Sequence, residues 1–211
     1  NTAIVLADES LLMQALHAIP DEIEHLNITM GYPLADTPIA TFVAALIQYQ
    51  VNIQTDSTGV KSVYHRQLME LLLHPYCRLL CPADDLRKLI ATIRHDNIIR
   101  IPLTMLATLH PTLFSFAEDI FSYLNSFIDV LDTHFLEQSN GSLDLEFIRQ
   151  YRNRITQLST ILQRTGATVD RSELTILIRR ITRNLKVQFR GEPLRGLQIM
   201  GLLECRLLDF D

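Results

Sequence analysis

Lysine and arginine are absent from the first 60 residues of this 211-residue chain. The carboxylates of Asp8, Glu9, Asp21, Glu22, Glu24, Asp36 and Asp56 stand there without a cation in the same stretch, so it offers a polyanion nothing to hold. No apolar run reaches the roughly 18 residues that a membrane helix requires. No basic leader with a long apolar core appears among the first residues, Asn1 to Asp8, so no secretory signal is visible. Three cysteines are too few for a disulfide framework, and their odd number suits a reducing compartment. These absences point to the cytoplasm. No G-x-x-x-x-G-K-[ST] loop exists in the chain, and no Ser/His/Asp set, Cys/His set or metal-spaced carboxylate pair can be assembled from sequence position. Catalysis, a metal and a bound cofactor are accordingly not expected of this segment.

What is present is a chain that should fold. Hydrophobic residues make up 47% and charged residues 20%, enough for one good core or two modest ones. The net charge of −5 hides an asymmetry. From Arg171 to Arg206 the balance reverses, with Arg171, Arg179, Arg180, Arg183, Lys186, Arg190, Arg195 and Arg206 facing Glu173, Glu192 and Glu204. A polyanion should prefer that part.

Residues 3–8 read as a buried strand, and Glu9 to Ile19 as a helix closed by Pro20 with Leu11, Leu12, Ala15, Leu16 and Ile19 inward. Asn27 to Leu34 is a short strand running into a Gly/Pro turn, and Thr37-Pro38 opens a helix to about Gln50. This is the start of an α/β layer. After a polar loop at 51–60 the pattern becomes helical. Helices are expected over Val63–Leu73, stopped by His74-Pro75, over Asp84–His95, and over Pro102–Leu109. Two long helices follow, one striped by Phe114, Ala117, Phe121, Leu124, Ile128, Leu131 and Phe135, the other by Ile148, Tyr151, Ile155, Leu158 and Leu162. With Asn140-Gly141 as the turn they form an antiparallel hairpin with a nearly coiled-coil seam. Asn140-Gly141-Ser142 also matches a glycosylation sequon, but without a secretory signal it reads as that turn.

Asp170-x-x-Glu173 announces a last helix with Leu174, Leu177, Ile178, Ile181 and Leu185 inward. Arg179, Arg183, Lys186 and Arg190 fall on another face of it, and Arg195 and Arg206 could extend that stripe. The chain returns through Gly191-Glu192-Pro193 to an apolar strand at 196–202, then a polar turn at Glu204-Cys205-Arg206. A second strand is expected after Asp211, so the chain reads as a piece of something larger. The fold class is mostly α with a small split α/β layer, residues 1–55 and 190–211, and an inserted helical domain at 60–189.

Three local patterns, with that layout, resemble the second RecA-like domain of superfamily 1 DNA helicases of the bacterial recombination-repair (UvrD/RecB-like) type. The family strand reading roughly "vavLvR" lies over Val5-Leu6-Ala7-Asp8, with Asp8 at the position of the phosphate-reaching Arg. The family's "H-x-x-K-G-L-E-F" lies over Leu203 to Phe210. The His becomes Leu203, the Lys becomes Arg206, the Gly becomes Leu207, and Glu-Phe becomes Asp209-Phe210. The chain is more similar to relatives that have lost their ATPase motifs, the AddB-like proteins with a C-terminal PD-(D/E)XK nuclease domain. These show patterns like "GLLExRxLDFD", "NvTMGYPL…TP" and "LLxHPY". The last two match Asn27 to Leu34 with Thr37-Pro38, and Leu72 to Tyr76.

The resemblance implies a non-catalytic scaffold in DNA break processing, with DNA and a helicase or nuclease partner as its company. Glu204 and Arg206 sit where active relatives couple ATP to DNA, and could hold a partner domain, line the single-strand channel, or form a local ion pair. The physics agrees on ATP, since a triphosphate needs cationic or backbone donors and a carboxylate at Asp8 would repel it.

The remaining candidates each have a plainer reading. The arginine stripe could contact DNA phosphates or be a solvated helix face with packed stems. His74, Cys77 and Cys81 are zinc-ligand types lacking a fourth member, and read better as a buried cysteine pair beside a histidine. Met30-Gly31-Tyr32-Pro33 could stack a base but reads better as a turn packed on the helix that follows. The rival function is a helical protein-interaction module whose hairpin docks a partner and which never touches DNA.

Overall fold

The computed structural model describes residues 2–20, 22, 23, 25–138, 143–188 and 196–207. It is mostly helical with three small sheets. The chain divides into two units, a discontinuous one from Asn1–Leu34 and Asn184–Asp211, and a continuous one over Ala35–Arg183.

In the discontinuous unit, β1 (Ala3–Leu6), α1 (Leu12–Ala18) and β2 (Leu26–Ile28) lead to β3 (Gly31–Pro33). The returning chain adds β7 (Lys186–Gln188) and β8 (Leu197–Gly201). β8 lies between β1 and β2 and is parallel to both, with Ile4 opposite Ile199 and Ile28 opposite the same residue on the other side. The expectation that residues 3–6 neighbour the last apolar run holds. The apolar run is continuous because β8 is covered; from Gln198 to Gly201 every residue is buried. Asn27 and Gln198 are buried too, and the Asn27 amide donates to Gln198 Oε1 at 2.6 Å, so two adjacent polar groups satisfy each other. β3 pairs antiparallel with β7, Tyr32 opposite Val187.

Two expectations are corrected here. The helix at Glu9 begins as a 3-10 turn (Glu9–Leu11) capped by Asp8, and this rotates Leu11 out to 48% exposure. The single strand expected over Asn27–Leu34 is two strands that belong to different sheets.

The continuous unit is built around α2 (Pro38–Val51). Thr37 caps it, its Oγ1 accepting the Ala40 amide at 3.4 Å, and Pro38 takes the first-turn position where no N–H is needed. Ile39, Phe42, Val43, Leu46, Ile47 and Tyr49 are all at most 1% exposed. A helix buried around most of its circumference, with only Thr41 and Ala44 exposed, is a central one. It touches α3 (His65–Leu73), α4 (Pro75–Leu80), α7 (Ile120–Gln138), α8 (Leu143–Thr165) and α9 (Arg171–Arg183). This packing places residues 35–55 with the helices, a correction to the domain boundary read from sequence. At its C-terminal end the Tyr49 hydroxyl donates to Phe114 O (2.7 Å). The buried Gln50 amide donates to Ser115 O (2.8 Å) and accepts from Ala117 N (3.0 Å). Phe114 and Ala117 are buried, as their spacing indicates, but through this loop docking, since α7 starts only at Ile120.

α7 and α8 form the expected hairpin, with Leu124, Ile128, Leu131, Ile148, Tyr151 and Ile155 buried in the seam. Arg152 ties the two helices through Asp129 (2.8 Å) and Asp132 (3.1 Å). The Asn140-Gly141 turn falls outside the described residues.

A third sheet interrupts the stretch expected to be helical. β4 (Gln54–Thr55), β5 (Lys61–Tyr64) and β6 (Arg100–Pro102) form an antiparallel sheet, and α5 (Ala83–His95) and α6 (Leu103–Ala107) complete the unit. The helix expected from Val63 therefore begins at His65.

Candidate functional site

In open parallel sheets ligands bind beyond the carboxyl ends of the strands. Here those ends lead to Asp8 after β1, to Thr29 after β2, and to the turn Leu202-Leu203-Glu204 after β8. Asp8 is exposed and caps the 3-10 turn, with the Ser10 amide donating to its Oδ1 at 2.9 Å; that bond holds its carboxyl below the ordinary carboxylate range. Glu9 accepts a hydrogen bond from the Lys186 ammonium. Glu204 opens a 3-10 turn (Glu204–Leu207) and folds over Gly201, where a Cβ would meet its Oε2 at 2.5 Å. Cys205 Sγ donates to Gly201 O at 3.1 Å. Leu203 is 69% exposed.

The described charged side chains named at this edge are thus three carboxylates and one lysine, which is paired with one of them. The side chain of Arg206 and all of Asp209 and Phe210 fall outside what the structure describes.

The basic stripe does not survive as drawn from sequence. α9 ends at Arg183, and Lys186 stands in β7, two residues beyond a break in the helical hydrogen bonding. Leu185 likewise leaves the inward face; its carbonyl accepts the Leu34 amide at 2.8 Å. Arg179 and Arg183 do share an exposed side of α9, joined by Arg180, with Ile176 67% exposed one turn before them. Among the described residues none of the three arginines forms an ion pair. Arg180 and Arg183 lie in the last turn, where the helix dipole favours cations. The start of α9 is as its sequence indicates. Asp170 Oδ1 accepts the Ser172 and Glu173 amides, both at 2.8 Å, and Glu173 returns the bond by accepting the Asp170 amide at 3.0 Å. Arg190 and Arg195 fall outside the described residues.

His74, Cys77 and Cys81 take the plainer reading. The two thiols, both buried, are 4.0 Å apart, Cys77 on α4 and Cys81 at its C-cap, and the Cys81 hydrogen bond together with burial pushes the Cys77 thiol up. His74 is turned away to cap α4. Its Nδ1 accepts the Tyr76 amide (3.1 Å), so its Nε2 carries the proton and donates to Thr41 Oγ1 (3.0 Å). Its ring packs on Phe42 at 5.1 Å and on Tyr76 at 5.5 Å. No group of three or more His, Cys, Asp or Glu able to hold a metal ion occurs among the described residues. Met30 and Tyr32 are 1% and 9% exposed, which leaves no face for a base.

Burial lowers the His74 pKa to about 4, from an ordinary value of 6.5. The unfolded chain therefore takes up the proton first as pH falls. The stability tied to neutral His74 is complete above pH 6.5, declines below it, and is gone by about pH 4. His74→Asn keeps a capping group without the titration. Urea unfolding across this window should show a shallower loss of stability in the variant than in the parent, and equal slopes would contradict the burial of a neutral ring.

No protein-family model matches this chain, and no curated protein or solved structure matches it either.

Proposed function

We propose that this chain is a non-catalytic, helicase-like scaffold segment of a bacterial DNA repair and recombination protein of the AddB-like type, positioning DNA and a downstream PD-(D/E)XK nuclease domain. The observation that carries the reading is the parallel sheet in which β1 and β8 are neighbours although a whole helical unit separates them in sequence. A partial RecA-like layer split by a helical insertion has this connectivity. The acidic carboxyl edge supports the loss of nucleotide binding, because Asp8, Glu9 and Glu204 stand where a triphosphate would need donors. In this reading the segment works in the cytoplasm. None of the described helices is long and apolar enough to cross a membrane.

DNA contact falls to Arg179 and Arg183 with Arg180, the exposed and unpaired cations of α9. The test is fluorescence anisotropy with a labelled single-strand/double-strand junction at rising salt. Each phosphate contact contributes a log-log slope of about −0.7 to −0.9. Arg179→Glu with Arg183→Glu should weaken binding by about tenfold or more and flatten the slope by roughly 2. Absence of binding at about 50 mM salt, or a variant that binds as the parent does, would overturn the DNA assignment.

That outcome would favour the rival reading, a protein-interaction module without DNA contact. Its supporting observation is the apolar surface left on the hairpin, with Val130 and Leu136 of α7 and Ile161 of α8 each about half exposed.

A further inference from the structure

α3 and α5 enclose an open groove of about 610 Å³, floored by Met69, Leu73 and Ile93 and closed at one end by the turn Asn97-Ile98-Ile99. That turn is held by its backbone. Asn97 sits at φ +49°, the Ile98 amide donates to Ile93 O (3.1 Å), and the His65 amide donates to Ile99 O (2.9 Å). The wall is therefore a fixed part of the fold.

Two features of the lining are hard to explain as ordinary surface. Ile99 and Leu73 are 63% and 42% exposed although they line the same groove as the buried Ile93. The only charged side chains in the lining are cationic, Arg66 of α3 and Arg94 of α5, with His65 at the rim. Elsewhere on α5 charges are matched within a turn, Arg87 by Asp84 and Lys88 by Asp85, and His95 is matched by Asp96 at the helix end. Arg66 and Arg94 form no ion pair or hydrogen bond among the described residues, although Glu70 is one turn from Arg66. In a chain of net charge −5, unpaired arginines flank exposed aliphatics here as they do on α9, and here they line a groove.

We propose that this groove docks an acidic amphipathic helix from a partner protein, aliphatic side chains entering between α3 and α5 and carboxylates meeting Arg66 and Arg94. The lining decides between peptide and nucleic acid. Bases bind by stacking on aromatic faces, whereas this groove is aliphatic, and the nearby Tyr64 ring is engaged edge-on with His65 at 4.5 Å. Aliphatic sockets spaced along a groove receive side chains at helical spacing, and the flanking cations select carboxylates and reject basic segments. The proposal stands independently of DNA binding at α9.

The experiment is selection of a random phage-displayed peptide library on the full chain, in parallel with Arg66→Glu/Arg94→Glu and with Ile99→Asp. Enriched peptides should combine Asp or Glu with Leu, Ile, Met or Phe at spacings of three and four. A synthetic peptide made from the consensus should lose about tenfold or more in affinity on either variant, while far-UV circular dichroism and melting stay as in the parent. Arg66→Gln/Arg94→Gln serves if the reversed pair does not fold. No enrichment over a scrambled library, enrichment unchanged by the variants, or tighter groove-dependent binding of an oligothymidylate would each overturn the proposal.

Discussion

Gly196→Ala is expected to destabilise the α/β unit by more than about 3 kcal/mol. Gly196 enters β8 at φ +73°, a left-handed conformation costing an L-residue with a side chain roughly 1–2 kcal/mol. A Cβ there would stand 1.9 Å from His25 O and 2.5 Å from His25 Cβ, so backbone must move. The atom it strikes is the acceptor of the first β2–β8 bond, from the Leu197 amide at 2.9 Å. Relieving the clash thus breaks the ladder that holds Leu26 opposite Leu197. Native-state hydrogen exchange is the measurement. Protection should collapse at Leu197 and Thr29, whose amide donates to Ile199 O, and persist at Leu46 in α2. Gly59→Ala is the control, since its φ of +85° carries the same conformational penalty with no atom within 4 Å. A Gly196→Ala chain as stable as Gly59→Ala would contradict the close approach of the two strands.

Phe42→Ala should cost about 3–5 kcal/mol in the helical unit. The ring is fully buried on α2, 5.1 Å from His74 and 5.7 Å from Tyr76. Tyr76 carries the effect outward, since its hydroxyl donates to Asp144 at 2.7 Å and its ring packs on Phe135 at 5.6 Å. Losing Phe42 therefore leaves a cavity where α2, α4 and the hairpin meet. It also wets His74, whose pKa should climb from about 4 back toward 6.5. Chemical denaturation reads the first effect and the imidazole proton shifts read the second. A loss below about 1 kcal/mol with an unmoved titration would show that the pocket repacks.

What could be read from the sequence followed from how local its cause is. The strand at 197–201 is legible because a buried parallel strand reads as an unbroken apolar run. β1 reads the same way and pairs with it at Ile4 and Ile199, but as an edge strand it is only partly buried, with Val5 41% exposed, which corrects the buried strand expected there. The starts of α2 and α9 are legible because Thr37-Pro38 and Asp170-x-x-Glu173 act within one turn. The β4–β5–β6 sheet was hidden. Of Lys61-Ser62-Val63-Tyr64 only Val63 is buried, and the partner strand Arg100–Pro102 comes after three helices. Lys186 was misplaced for a similar reason. Its spacing fits the α9 stripe, but β3 pairs with Val187, and that pairing ends the helix. Arg66 and Arg94 carry no signal at all in sequence, since only the packing of α3 beside α5 brings them to one groove.

The helicase-like reading rests on β1 and β8 being adjacent, and cross-strand amide–Hα nuclear Overhauser effects in a protonated, isotope-labelled sample test this directly. The account predicts contacts linking Ile4 with Ile199 and its immediate neighbours in parallel register, together with contacts from Ile28 to Ile199 on the opposite side. Contacts from Ile4 to β2 without any to Ile199, or an antiparallel pattern, would contradict it.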